Sequence, residues 1–191
     1  MKITWKEFNT VSNYLSLSRF IILLPILSIL DEIETDYVYR LYAFGLMMLS
    51  AATDMLDGYF ARKLNQVTEF GKIIDPLADK ISYALIVIKL YMISAIPDFF
   101  FWAVIIRDLY IFTGGLIVTK IIGKVLPSNL LGKITVLVIG AYFTGVVLNV
   151  QQIEWLHSIL LYSSTLLIVV SAIGYTIRGV ESVRYHRNGS L

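Results

Sequence analysis

The amino-acid sequence predicts an all-α protein: an integral membrane bundle of six transmembrane helices, preceded by a short N-terminal amphipathic helix. Three observations carry this expectation. Apolar residues fill 57% of the 191 positions and only 16% are charged, a balance that water-soluble domains seldom show. Mean hydropathy is +0.74. The apolar residues also fall in six runs, each close to the ~20 residues with which a helix crosses a hydrocarbon core. The runs lack period-two alternation, and a single segment in lipid satisfies its backbone polar groups only as a helix. Residues 1–191 read as one membrane domain.

Taken in order, residues 1–12 come first. Lys2, Lys6 and Glu7 are interleaved there with Ile3, Trp5, Phe8 and Val11, spacings that suit a helix lying on the membrane surface. The six spans are expected at Tyr14 to Leu30, Val38 to Ala61, Ile73 to Ser94, Phe99 to Ile122, Leu130 to Val150 and Trp155 to Tyr175. The charges between them alternate in sign. Lys2 and Lys6 precede the first span, and Asp31, Glu32, Glu34 and Asp36 follow it. Arg62, Lys63 and Lys72 lie after the second, whereas the turn at 95–98 holds no basic residue. Lys120, Lys124 and Lys133 surround the next connection, Glu154 the one after, and Arg178, Arg184 and Arg187 the C-terminal end. By the positive-inside rule both termini and the connection after the second span face the cytoplasm.

Composition also excludes several chemistries. With no cysteine there is no disulfide, thiolate metal site or cysteine nucleophile. The two histidines, His157 and His186, are too few for a histidine-rich zinc site. A net charge of +2 is too small to point to nucleic acid.

The chemistry concentrates between residues 54 and 79. Asp54 and Asp57 fall at the cytoplasmic end of the second span, three residues apart and so on one helical face. Asp75 and Asp79 are four apart and share a face if the third helix has begun there; Pro76 suits a first helical turn. Four carboxylates at the edge of a bilayer are costly unless a cation sits among them. An oxygen-only donor set suits magnesium or manganese. Gly58 and Ala61 leave room against the helix, Gly71 permits a close backbone approach, and Arg62 offers a planar fork for phosphate oxygens. The bland alternative is an ordinary ion pair between one aspartate and Lys72 or Lys80; it accounts for one acid but not for four.

These residues form the pattern D-x-x-D-G-x-x-A-R-x8-G-x-x-x-D-x-x-x-D, met at every fixed position from Asp54 to Asp79. In this the chain resembles the CDP-alcohol phosphotransferase family. The resemblance implies a six-helix membrane enzyme, usually a homodimer, that displaces CMP from a CDP-linked donor by attack of an alcohol hydroxyl. It implies two divalent ions, Mg2+ or Mn2+, held by Asp54, Asp57, Asp75 and Asp79, with Asp79 also the general base. Asp54, Asp57, Gly58, Ala61, Arg62 and Gly71 would line the CDP site, and Thr68 would add a phosphate donor.

The apolar build favours CDP-diacylglycerol as that donor. For the acceptor, Arg107 lies well inside the fourth span, Lys133 opens the fifth and Arg178 closes the sixth. Together the three cations suit a phosphate, although Lys133 and Arg178 also read as interfacial snorkelling residues. Asp108 adjoins Arg107 but points elsewhere on a helix, which makes it a poor partner; Lys89 reads as a snorkelling residue on the far side. Asp75-Pro76-Leu77-Ala78-Asp79-Lys80 and Leu131-Gly132-Lys133-Ile134-Thr135 look like the members that use sn-glycerol 3-phosphate. Arg107-Asp108, in place of their common Arg-Glu, is similar to members whose acceptor is phosphatidylglycerol, and inositol phosphate also stays open. Intramembrane prenyltransferases place their two aspartate motifs on distant helices, and transporters pair broken helices in two related halves; a single cluster matches neither.

Overall fold

The structure is a computed structural model. It describes residues 11–63, 71–124 and 129–189, with the backbone alone at 11–17, 19, 54–55, 57–63, 71–78 and 188. Among the described residues there are six α-helices: α1 Val11–Leu30, α2 Tyr37–Lys63, α3 Gly71–Met92, α4 Asp98–Ile122, α5 Leu130–Val147 and α6 Glu154–Asn188. A single 3-10 turn, Val150–Gln152, precedes α6. All six expected segments are therefore helical. The surface helix expected at 1–12 lies largely outside the described residues, and Val11 and Ser12 belong to α1.

By length and composition α4, α5 and residues 154–187 of α6 are apolar enough to cross a membrane, and the protein is an integral membrane protein. Among the described residues a shorter apolar helical stretch runs over Phe20–Asp31. The outward-facing side chains agree with a lipid surroundings: Trp102, Ile106, Leu116, Leu137 and Leu166 are all more than half exposed, and their transfer into hydrocarbon is favourable.

The helix ends follow local chemistry. Asn129 caps α5 by accepting from the Gly132 N–H at 2.7 Å, satisfying a donor that an uncapped helix would leave open. Gly123 ends α4 at φ 70, a left-handed conformation that glycine takes without strain. α3 begins at Gly71, so Pro76 stands at the sixth helical position rather than in the first turn as expected. There its missing N–H deprives the Lys72 carbonyl of its helical partner. α6 continues to Asn188, well past the span end expected at Tyr175. No proline interrupts it, and at about 52 Å it outreaches a ~30 Å hydrocarbon core.

The chain divides into two compact units, Met1–Ala95 and Ile96–Leu191. In the first, α1 packs against α2 and α3. Its core includes Leu23, Ile26 and Leu30 of α1, Ala43 of α2, and Val87 and Leu90 of α3. At one end of this unit Lys89 Nζ meets Asp31 Oδ2 at 2.6 Å, so the lysine read as snorkelling has a specific acidic partner.

In the second unit α6 packs against both α4 and α5. Phe100 of α4 meets Tyr142 and Phe143 of α5 edge-on, with centroids 4.5 and 6.0 Å away. At the other end α5 and α6 come close through small residues. A Cβ on Gly132 would stand 2.7 Å from the Tyr175 hydroxyl and 2.9 Å from Asn129 Oδ1, and one on Gly174 would stand 2.9 Å from Leu131 Cδ2. Each glycine thus accepts a side chain from the facing helix. Gly132→Val is expected to displace Tyr175 and break the Asn129 cap, with a loss of about 1–3 kcal/mol. Thermal unfolding of the purified protein in detergent measures it, and an unchanged midpoint would contradict the close approach.

Candidate active site

The candidate residues fall into two groups, one in each unit. In the first unit Asp54, Asp57, Gly58, Ala61 and Arg62 all lie on the C-terminal turns of α2. Asp54, Asp57, Gly58 and Ala61 follow an i, i+3, i+4, i+7 spacing, which is one stripe of a helix. Gly71, Asp75 and Asp79 lie on the N-terminal turns of α3 at i, i+4, i+8, again one stripe. The condition for Asp75 and Asp79 to share a face, that the helix has already begun, is met. Thr68 lies outside the described residues, as do the side chains of all the other motif residues except Asp79. Asp79 is exposed. Among the described side chains no group of three or more His, Asp or Glu is placed to hold a metal. The motif set fits a hard divalent ion by its chemistry: carboxylate oxygens only, paired on two helix ends, with no sulfur or imidazole.

In the second unit Arg107 lies midway along α4, Lys133 in the first turn of α5 and Arg178 in the C-terminal half of α6. Arg107 is buried, at 8% exposure, within an apolar helix. A charge so placed needs partners, and the structure supplies two. Its Nε donates to Ser171 Oγ of α6 at 3.2 Å, and its Nη1 donates to Asp108 Oδ1 at 2.6 Å. The second contact corrects the expectation that Asp108 would be a poor partner. Adjacent Cβ atoms do diverge on a helix, but the long arginine side chain folds back far enough to reach its neighbour. Low polarity around the pair strengthens the attraction.

Lys133 is exposed in the first turns of α5, and Arg178 is half-buried on α6. The helix register relates them. Thr135 Oγ1 donates to the Leu167 carbonyl and Ser164 Oγ to the Val138 carbonyl, each at 3.4 Å, which sets Lys133 near the level of Ser171, and Arg107 is level with Ser171 too. Arg178 lies one turn beyond Tyr175. The three cations therefore fall within about 10 Å along α6. Between their levels Tyr110 and Thr176 share a hydrogen bond of 2.6 Å that ties α4 to α6. Sequence reading missed Ser171. A serine in an apolar run carries no signal of its own, and its partner is 64 residues away.

Paired aspartates on two helix ends of one unit and cations on the helices of the other are the residue types that an enzyme of phosphate esters at a membrane would need. Comparison with known proteins makes the class specific. A family model described as CDP-alcohol phosphatidyltransferase matches residues 9–173, and the chain belongs to that family. It is 35% identical over 180 residues to the CDP-diacylglycerol--glycerol-3-phosphate 3-phosphatidyltransferase of Aquifex aeolicus (strain VF5), covering 91% of this chain and 97% of the relative. It is 40% identical over 101 residues to the Bacillus subtilis (strain 168) protein of the same name, covering 53% of this chain and 52% of that one. A human cardiolipin synthase (CMP-forming) is 39% identical over 100 residues, covering 52% of this chain and 32% of the relative.

Proposed function

We propose that this protein transfers the phosphatidyl group of CDP-diacylglycerol to the primary hydroxyl of sn-glycerol 3-phosphate, giving phosphatidylglycerophosphate and CMP. The observation that carries the reading is the similarity to the Aquifex aeolicus enzyme along nearly the whole of both chains, joined to the complete aspartate motif of Asp54 to Asp79. In this reading residues 1–191 act as one catalytic domain, residues 1–12 form a surface helix, and all six helices cross the membrane. The motif and both termini face the cytoplasm, and the active form is a homodimer, as the family resemblance implies.

Asp54, Asp57, Asp75 and Asp79 would hold divalent ions, magnesium or manganese. Such ions, when bound, neutralise the diphosphate and the charge that develops on departing CMP. Arg62 gives the diphosphate a forked donor, Gly58 and Ala61 leave room for the nucleotide, and Gly71 and Thr68 complete the CDP site. Asp79 takes the proton from the acceptor hydroxyl as its oxygen attacks the phosphorus that carries the diacylglycerol. One P–O bond forms there, the P–O bond to CMP breaks, and the bonding pair leaves with CMP. Arg107, Lys133 and Arg178 bind the phosphate of the acceptor, which orients the attacking hydroxyl.

The test is release of CMP from CDP-diacylglycerol by the purified protein, with glycerol 3-phosphate, phosphatidylglycerol, inositol phosphate and serine offered in turn. Glycerol 3-phosphate is expected to support turnover in magnesium or manganese, and EDTA to abolish it. Turnover with phosphatidylglycerol alone would move the assignment to a cardiolipin synthase, the reading that Arg107-Asp108 and the human relative favour.

A further inference from the structure

We infer that Ser171 is a positioning residue that sets the orientation of Arg107 toward an acceptor phosphate, an inference that rests on the acceptor reading of Arg107 given above. A guanidinium offers five N–H groups in one rigid plane. The Arg107 plane is held at two points, Nε on Ser171 Oγ and Nη1 on Asp108 Oδ1. Five less two leaves three donors, on Nη2 and Nη1, for a phosphate. Ser171 suits the task of holding the plane. Its residue is fully buried, and its own hydroxyl proton is spent on the Ile168 carbonyl at 3.0 Å, which leaves the oxygen lone pairs for the arginine. Being neutral, it fixes the side chain without cancelling the charge that attracts the anion. Asp108 holds the Nη1 arm of the same plane at 2.6 Å. The Tyr110–Thr176 bond keeps α4 and α6 in the register that the Arg107–Ser171 bond requires. A fixed plane matters because bidentate recognition of a tetrahedral phosphate depends on the direction of two parallel N–H groups.

The experiment uses the full-length purified enzyme and steady-state kinetics with CDP-diacylglycerol and glycerol 3-phosphate varied separately. Ser171→Ala is expected to raise the acceptor KM roughly tenfold, the scale of one hydrogen bond to a charged group, and to leave the donor KM within about twofold. Ser171→Thr, which retains the oxygen, is expected to restore most of the loss. Arg107→Ala should raise the acceptor KM further, and adding Ser171→Ala to it should change nothing more, because the serine acts through the arginine. If Ser171→Ala leaves the acceptor KM unaltered, or shifts both constants equally, while Arg107→Ala raises the acceptor KM alone, the positioning role is wrong and the acceptor reading survives. If Arg107→Ala itself spares the acceptor KM, the acceptor reading falls and the inference falls with it.

Discussion

Asp79→Asn is expected to remove most turnover while leaving CDP-diacylglycerol binding intact. Asparagine has nearly the shape of aspartate and still presents one oxygen, but it cannot accept the proton of an attacking hydroxyl. Loss of general-base assistance typically lowers a rate by about 10²–10⁴-fold, and loss of one negative ligand adds to that. Asp79 is exposed on α3 and stands two to three turns before the buried Val87 and Leu90, so the substitution leaves that packing alone and should not unfold the protein. CMP release and equilibrium binding of the donor, measured on the same preparation, separate the two effects. Near-normal CMP release would falsify the assignment of Asp79 as base.

The second large effect is expected from Asp75→Ala. One turn before Asp79 on the same stripe of α3, Asp75 is proposed as a ligand with no task other than holding the ions. Its removal leaves fewer negative oxygens for a hard cation that binds through them. Outer-shell partners of a metal are already worth about 10–100-fold in affinity or activity, so a direct ligand should cost at least about 100-fold in apparent magnesium affinity. Donor binding should weaken in parallel and recover in part at high metal concentration. A magnesium titration that overlays the wild-type curve would remove Asp75 from the site.

The placing of Lys89 and Arg107 illustrates where sequence reading stops. Both were legible as charges in apolar helices that need company. Neither partner was. Asp31 lies 58 residues from Lys89 and Ser171 lies 64 residues from Arg107, and no local pattern links members of such pairs. Asp108 was misjudged for a different reason. Helical geometry separates adjacent Cβ atoms but does not limit the reach of an arginine. Pro76 likewise fits a first helical turn by sequence preference, yet α3 starts five residues earlier, and the proline there leaves one helical hydrogen bond unmade.

The helical class, the six segments and the stripes that bear the aspartates follow from order along the chain. Hydrophobic run length and the 3.6-residue repeat act locally, and in lipid a single segment satisfies its backbone only as a helix. Family membership was legible for the same reason, since the motif from Asp54 to Asp79 is one contiguous pattern. Tertiary structure alone decided which helices meet and at what level: Gly132 against Tyr175, Gly174 against Leu131, Arg107 on Ser171. Those contacts depend on the approach and axial shift of packed helices. Both are set by the fit of many side chains at once, and no window of sequence contains that information.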